Sequence, residues 1–170
     1  MHIQSDRMTL KKITINDIEN VNKIYSNSKL TKYFVSGPDS NIEDTKIRVE
    51  KIESHWNEYS FGDFLLFDKS TSELLGYGGL HYKAKGGKIN ISYVILEEAQ
   101  GKGLGYEISM KLIEYGFKTL NLPEIVAEID PNNAMSKKLI EKCGFRFNRM
   151  MEWKGHDREE YVMSISDFVE

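Results

Sequence analysis

Gln100-Gly101-Lys102-Gly103-Leu104-Gly105 is the stretch whose reading decides the fold. It joins an alternating segment, Lys88 to Ile95, to a helically periodic one, Leu104 to Leu120, so it reads as a strand-to-helix turn. Three glycines at alternate positions let the backbone curl so that consecutive N–H groups point into one concavity at a helix start. Such a nest binds anionic oxygens, and pyrophosphate is its natural guest. Two other phosphate motifs are excluded by inspection. A P-loop ends in Gly-Lys-Ser/Thr, whereas Lys102 is followed by Gly103. A dinucleotide fingerprint needs a glycine at its sixth position, and counted from Gly101 that position is Tyr106.

Working outward, the apolar rows Ile108, Leu112, Tyr115 and Ile113, Phe117, Leu120 give the helix after the loop a wide buried stripe. Upstream, Phe61 to Phe67, Leu74 to Tyr82 and Lys88 to Ile95 read as strands, with Gly86-Gly87 as a two-residue hairpin turn. Met8 to Ile13 is a further strand. Thr14 opens a helix, with Asp17 at the capping-box position, and a second helix follows Ser40, with Glu43 at the box position and Val49, Ile52, Trp56 and Tyr59 on one face. The loop between these helices holds Tyr33, Phe34, Val35 and Pro38, which line a pocket or pack over the core edge. After Pro123 come a strand, Ile125 to Ile129, and a helix from Ala134 to Cys143 ended by Gly144 as a left-handed cap. Phe145 to Trp153 and Glu160 to Ile165 are the closing strands. The order βααβββαβαββ describes one α+β domain over residues 1–170 with a βαβ crossover in its middle.

Composition narrows the function. The 170 residues include 40% hydrophobic and 29% charged side chains, a globular mixture. Lys and Arg number 23 against 26 Asp and Glu, a net charge of −3. A protein that coats nucleic acid or an anionic membrane needs a positive excess, so neither partner is expected. Apolar runs such as Phe64-Leu65-Leu66-Phe67 fall far short of the roughly 20 residues of a membrane-spanning helix. The opening residues lack the apolar stretch of a secretory signal, and a soluble, cytoplasmic domain is expected. The single cysteine, Cys143, rules out a disulfide framework. No His/Asp/Glu spacing resembles a metal site.

Gln100, Gly103 and Gly105 also satisfy Gln/Arg-x-x-Gly-x-Gly/Ala, which resembles the acetyl-coenzyme A pyrophosphate loop of the GNAT N-acetyltransferases. Tyr93 to Gln100 resembles that family's fourth strand entering the loop. Asp130-Pro131-Asn132-Asn133-Ala134-Met135-Ser136, then Leu139 and Glu141-Lys142-Cys143-Gly144-Phe145, resembles the signature of its RimJ/RimL-like branch, which includes ribosomal-protein N-terminal acetyltransferases. Leu74 to Leu80 and Thr31 to Phe34 fit the same branch. The resemblance implies a mixed central sheet of about seven strands, about four flanking helices, and a cofactor cleft splayed between the fourth and fifth strands. It implies acetyl-coenzyme A as co-substrate without a metal, and an amine acceptor that is a protein N-terminus or a small molecule. A homodimer is left open.

Residue by residue, the resemblance makes Gln100, Gly101, Lys102, Gly103, Leu104 and Gly105 the cradle. It runs the pantetheine arm along Tyr93, Val94 and Ile95, where a bulge frees N–H groups and one near Val94 meets the thioester oxygen. Asn133 matches a pantetheine-holding position and also suits a helix N-cap. Ser136 matches the proton donor to the departing thiolate, a role that a tyrosine takes in other members; it is equally an ordinary first-turn serine. Lys137 and Lys138 are phosphate contacts or solvated lysines, and Cys143 is a packing residue. The base is where the chain departs from its relatives: Asn90 stands where many carry a fourth-strand glutamate, and an amide accepts no proton. Glu128 and His81 are the substitutes. A weak base suits an α-amine, with pKa about 8, better than a lysine amine near 10.4. With no nucleophile flanked by a base, transfer is expected to be direct. The alternatives are acetylation of a polyamine, aminoglycoside or amino acid, or an idle acyl-coenzyme A binding module. Polyamines want clustered carboxylates, and Glu97-Glu98 and Glu159-Glu160 are the adjacent glutamate pairs.

Overall fold

The computed structural model describes residues 3–168. Eight strands form one mixed sheet: β1 (Ile3–Gln4), β2 (Met8–Lys12), β3 (Asp63–Asp68), β4 (Leu74–Tyr82), β5 (Ile89–Ile95), β6 (Glu124–Ile129), β7 (Arg146–Trp153) and β8 (His156–Ser164). Their order is β1-β2-β3-β4-β5-β6-β8-β7. Each neighbouring pair is antiparallel except β5 and β6, which the crossover helix makes parallel. The four α-helices are α1 (Ile18–Tyr25), α2 (Ile42–Tyr59), α3 (Leu104–Glu114) and α4 (Ala134–Lys142). The eighth strand beyond the expected seven is β1, two residues long and too short to carry a period.

Strand alternation sends successive side chains to two separate cores. Leu65, Tyr77 and Val94 meet Val21 and Ile24 of α1 and Val49 of α2 on one face. Phe64, Leu66 and Leu80 meet Ile108 and Leu112 of α3 on the other. No described helix is long and apolar enough to cross a membrane.

The local signals hold where a single residue carries them. Thr14 and Asp17 form the reciprocal capping box. Gly144 has φ +103°, and Phe145 N–H reaches back to Ile140 O at 3.2 Å, closing α4 as a Schellman turn. Other readings shift. Asn41, rather than Ser40, caps α2 by accepting the Glu43 and Asp44 N–H groups. The long helix ends at Glu114 and widens into a π-helical turn over Tyr115–Thr119, where a Cβ on Gly116 would lie 2.7 Å from Ile125. Gly86-Gly87 is not a two-residue hairpin: β4 stops at Tyr82 and β5 starts at Ile89, with Gly87 N–H closing onto Ala84 O at 2.9 Å. The tight hairpin is instead Lys154-Gly155, with φ +50° and +79° as a type I′ turn requires, joining β7 to a β8 that begins earlier than expected.

β4 carries the tightest packing. Gly76 has φ +151°, and a Cβ there would overlap the Val94 carbonyl oxygen of β5. A Cβ on Gly78 would stand 3.1 Å from Ile108 of α3. Gly76→Ala should lower the unfolding free energy by about 2–4 kcal/mol, read by chemical denaturation. Gly86→Ala, with open space around it, should cost only about 1–2 kcal/mol. Equal losses at the two sites would refute the backbone-contact account.

Candidate functional site

The sheet splays where the sequence led one to expect. β5 and β6 are bridged at Asn90 and Val126 alone and diverge beyond that point. Asn90 is buried, and its Oδ1 accepts the Glu128 N–H at 3.0 Å, so the amide stitches the two strands at the apex of the cleft. The opening holds a cavity of about 670 Å³, walled by β5, β6, the start of α4 and the loop that carries Tyr33, Phe34 and Val35.

The expected bulge in β5 is absent. The β4–β5 register runs unbroken from Gly76↔Ile95 to Tyr82↔Ile89. Free backbone groups arise because β6 departs, leaving one edge of β5 without a ladder partner. Leu96 N–H donates to Leu75 O at 2.8 Å, which phases the alternation. Val94 therefore directs its N–H toward β4, while Tyr93 and Ile95 direct theirs toward the cleft. This corrects the expectation of a cleft-facing N–H at Val94. Ile95 O accepts the Gln100 side-chain amide at 2.9 Å, so Gln100 anchors the loop to the strand edge.

In the glycine loop, Gly101 and Gly103 have φ of +75° and +79°, and no atom lies within 4 Å of a Cβ on Gly101. Gly103 caps α3, and the N–H groups of Leu104, Gly105 and Tyr106 have no intrahelical acceptor. Gly105 serves another purpose than the curl expected of it: a Cβ there would press on Leu139 at 3.1 Å and Tyr93 at 3.2 Å, so it admits the Tyr93 ring. Lys102 turns its ammonium to Glu98 O at 3.2 Å. Sequence reasoning missed Arg7. Its Nη1 donates to Lys102 O at 2.9 Å and its Nε to Glu107 at 2.6 Å, tying the loop to the chain start. Only the fold brings residues 100 positions apart together.

Across the cleft, Asn133 accepts the Ser136 N–H at 3.2 Å, so its carbonyl acts as the α4 cap while both residues line the cavity. Burial holds the Tyr93 phenol above its ordinary range, and a hydrogen bond from the adjacent Ser136 hydroxyl offsets part of that rise. Lys137 is paired with Glu159 at 3.3 Å. Burial pushes the Cys143 thiol up to about 11, which removes it as a nucleophile.

The two base candidates differ sharply. Glu128 is locked in an ion pair with Lys83. His81, on the cavity wall, holds Asp63 Oδ1 with its Nδ1 at 3.1 Å. Burial alone would lower the His81 pKa, but the charge and hydrogen bond of Asp63 outweigh it and raise the value. The pair thus stabilises the fold below the ordinary imidazole pKa of about 6.5, and this contribution is lost as pH climbs through the raised folded value. Asp63 was not foreseen; the glycine opposite it gives the reason for its place, since a Cβ on Gly79 would collide with it. His55, 6.5 Å from His81 ring to ring, is spent structurally, with Nδ1 on Phe61 O and Nε2 accepting from Tyr82 N–H.

Residues 7–146 match the family model described as acetyltransferase (GNAT) domain. The chain is 29% identical over 168 residues to an uncharacterized N-acetyltransferase, p20, of Bacillus licheniformis, covering 96% of this chain and 94% of that protein. Among solved structures, a GNAT-family acetyltransferase from Bacillus anthracis superposes with TM-score 0.82 at 24% identity, over 98% of this chain and 99% of the other. Spermidine N-acetyltransferase from Vibrio cholerae, in complex with CoA and spermine, gives 0.79 at 20% identity over 95% and 97%. At these identities the structural likenesses establish the fold.

Arg7 yields a direct test of the loop. Arg7→Ala should weaken coenzyme A binding about tenfold by calorimetric titration, because a charge-assisted hydrogen bond that holds the nest is lost. Unchanged affinity would detach Arg7 from the cradle.

Proposed function

This chain belongs to the GNAT acetyltransferase family and is an acetyl-CoA-dependent N-acetyltransferase; we propose that it acts in the cytoplasm, in the manner of the RimJ/RimL-like branch, on an acceptor α-amine. The observation that carries the reading is the splay at Asn90, which leaves a β5 edge beside a cavity whose wall holds His81 and Asp63, with the glycine nest following β5 at the start of α3. Acetyl-CoA, as the second substrate, brings the acetyl group as a thioester. The chain's groups fit it: unpaired first-turn N–H groups and open space beside Gly101 for the pyrophosphate, a bare β5 edge for the arm, and Asn133 on the cavity wall.

In this mechanism the N–H groups of Tyr93 and Ile95 polarise the thioester carbonyl. His81 takes the proton of the acceptor ammonium at Nε2, with Asp63 fixing the ring through Nδ1 and stabilising the imidazolium. The amine nitrogen bonds to the carbonyl carbon as the carbon–sulfur bond breaks. Ser136, backed by Tyr93, gives its proton to the departing sulfur, and the proton that the nitrogen sheds on becoming an amide restores the hydroxyl. An imidazole base suits an α-amine better than a lysine-like amine, which holds its proton more tightly. Glu128 keeps Lys83 neutralised instead of acting as base.

His81→Ala should cut kcat/KM by about 10²–10⁴-fold, with partial recovery at high pH. Asp63→Asn removes the charge that raises the imidazole pKa, so the rising limb of the pH profile should move to lower pH while its plateau falls. Glu128→Gln should retain the wild-type limb. A limb that vanishes in Glu128→Gln and persists in His81→Ala would reverse the assignment. Ser136→Ala should lower kcat by about 10²-fold or more with cofactor affinity nearly intact; a loss under about threefold would leave Ser136 an N-terminal helix residue only.

A further inference from the structure

We propose that Arg158 makes the site selective for acceptors that carry a carboxylate beside the reacting amine; this refines the transferase reading above by naming the acceptor class. Arg158 lies on β8, is 5% exposed, and lines the cavity. Its guanidinium offers five N–H donors. One hydrogen bond holds it, from Nη2 to Tyr33 O at 3.0 Å. Nη1 stands 3.6 Å from Asp130 Oδ2, beyond hydrogen-bond reach, and Asp130 already accepts from Asn132. Nε, shut off from solvent, has no partner among the described residues. Burying a guanidinium this far from water is costly unless its donors are met, and a planar carboxylate is the group that meets them in pairs. The same cavity contains the contrast: Arg48 is satisfied by Asp39, at 2.6 Å from Nη2 and 3.2 Å from Nε.

The wall charges favour the same class. Each carboxylate on the cavity wall is already engaged: Asp63 accepts from His81 Nδ1–H, Glu128 is paired with Lys83, and Asp130 lies 3.6 Å from Arg158. Lys51 and Lys154 add positive charge with no carboxylate partner among the described residues. A polyamine entering here finds no free carboxylate and two further ammonium groups. An acceptor with its amine toward His81 and its carboxylate toward Arg158 is complementary at both ends. That carboxylate comes either from a free α-amino acid or from an acidic side chain at the start of a peptide.

The experiment measures acetyl transfer to glycine and glycinamide, to Asp- and Asn-initiated peptides, and to spermidine. In wild type, at least one carboxylate acceptor should exceed its amide counterpart by about tenfold or more in kcat/KM. Preference within the first pair assigns the free amino acid, and within the second the acidic peptide. Arg158→Gln should erase that ratio by slowing the carboxylate acceptor, and Arg158→Lys should restore part of it. The comparison in wild type needs no folded variant. Equal use of acid and amide, or a preference for spermidine, overturns the proposal while leaving the transferase reading intact. A parallel arm follows melting temperature with coenzyme A present: stabilisation by the acid and not its amide, without turnover, would uphold the carboxylate site and remove the transferase reading.

Discussion

Asn90 is the last residue of β5 to touch β6, and its side chain as well as its backbone makes the join. A parallel pair in the middle of a sheet is normally continuous, because each backbone group shut away from water needs a partner. Here the ladder stops, and β5 keeps an edge in the interior of the molecule. Gln100 satisfies one of those groups, the Ile95 carbonyl, and in doing so pulls the glycine loop against the strand. The remaining edge faces the cavity. A fold that leaves such groups open at its centre holds an energetic demand that a bound chain of amides and carbonyls would meet, which is the character of a pantetheine arm. The amide at Asn90 is therefore a structural stitch at the apex of the cleft.

The glycines of β4 hold this arrangement from the other side. Gly76 lets the Val94 carbonyl approach, Gly78 admits α3, and Gly79 makes room for Asp63. Each acts through a different neighbour, on β5, α3 and β3 in turn. The His81–Asp63 pair is consequently built by the sheet: Asp63 sits opposite Gly79, two strands away from Asn90, and His81 follows Gly79 by two residues on the same face.

What was legible in the sequence tracks how local each cause is. The Gln100-to-Gly105 loop, the Thr14–Asp17 box and the Gly144 cap are set by a few adjacent residues, and all three form. Gly86-Gly87 and Lys154-Gly155 show the limit. Both pairs suit a tight turn, yet only the second lies where the strand registers leave exactly two residues between partners, Trp153 and His156. Register is a property of the paired strands and cannot be seen from one of them. The same holds for the site. Tyr93, Asn133, Ser136, His81 and Glu128 do converge on one cavity, but Asp63 and Arg158 join it, and Arg7 reaches the glycine loop, through the fold alone. No pattern in the chain marks Asp63 as belonging with His81, or Arg158 as belonging with Tyr33.

The charge around the cavity also explains how the chemistry proceeds without a fourth-strand carboxylate. An ammonium is hardest to deprotonate where free carboxylates surround it, because they stabilise its charge. In this cleft Glu128 and Asp130 each face a cation, and Asp63 is hydrogen-bonded to His81. Lys51 and Lys154 add like charge at the walls. Both features push a bound amine toward its neutral, nucleophilic form, so less is asked of the base. An imidazole whose pKa is raised by one buried aspartate is then strong enough, provided its ring is held, and Asp63 holds it. A carboxylate at position 90, ordinarily a weaker base than an imidazole, would need desolvation to gain comparable basicity. The substitution that looked like a missing catalytic group is thus consistent with a site that lowers the acceptor's basicity instead of raising the enzyme's.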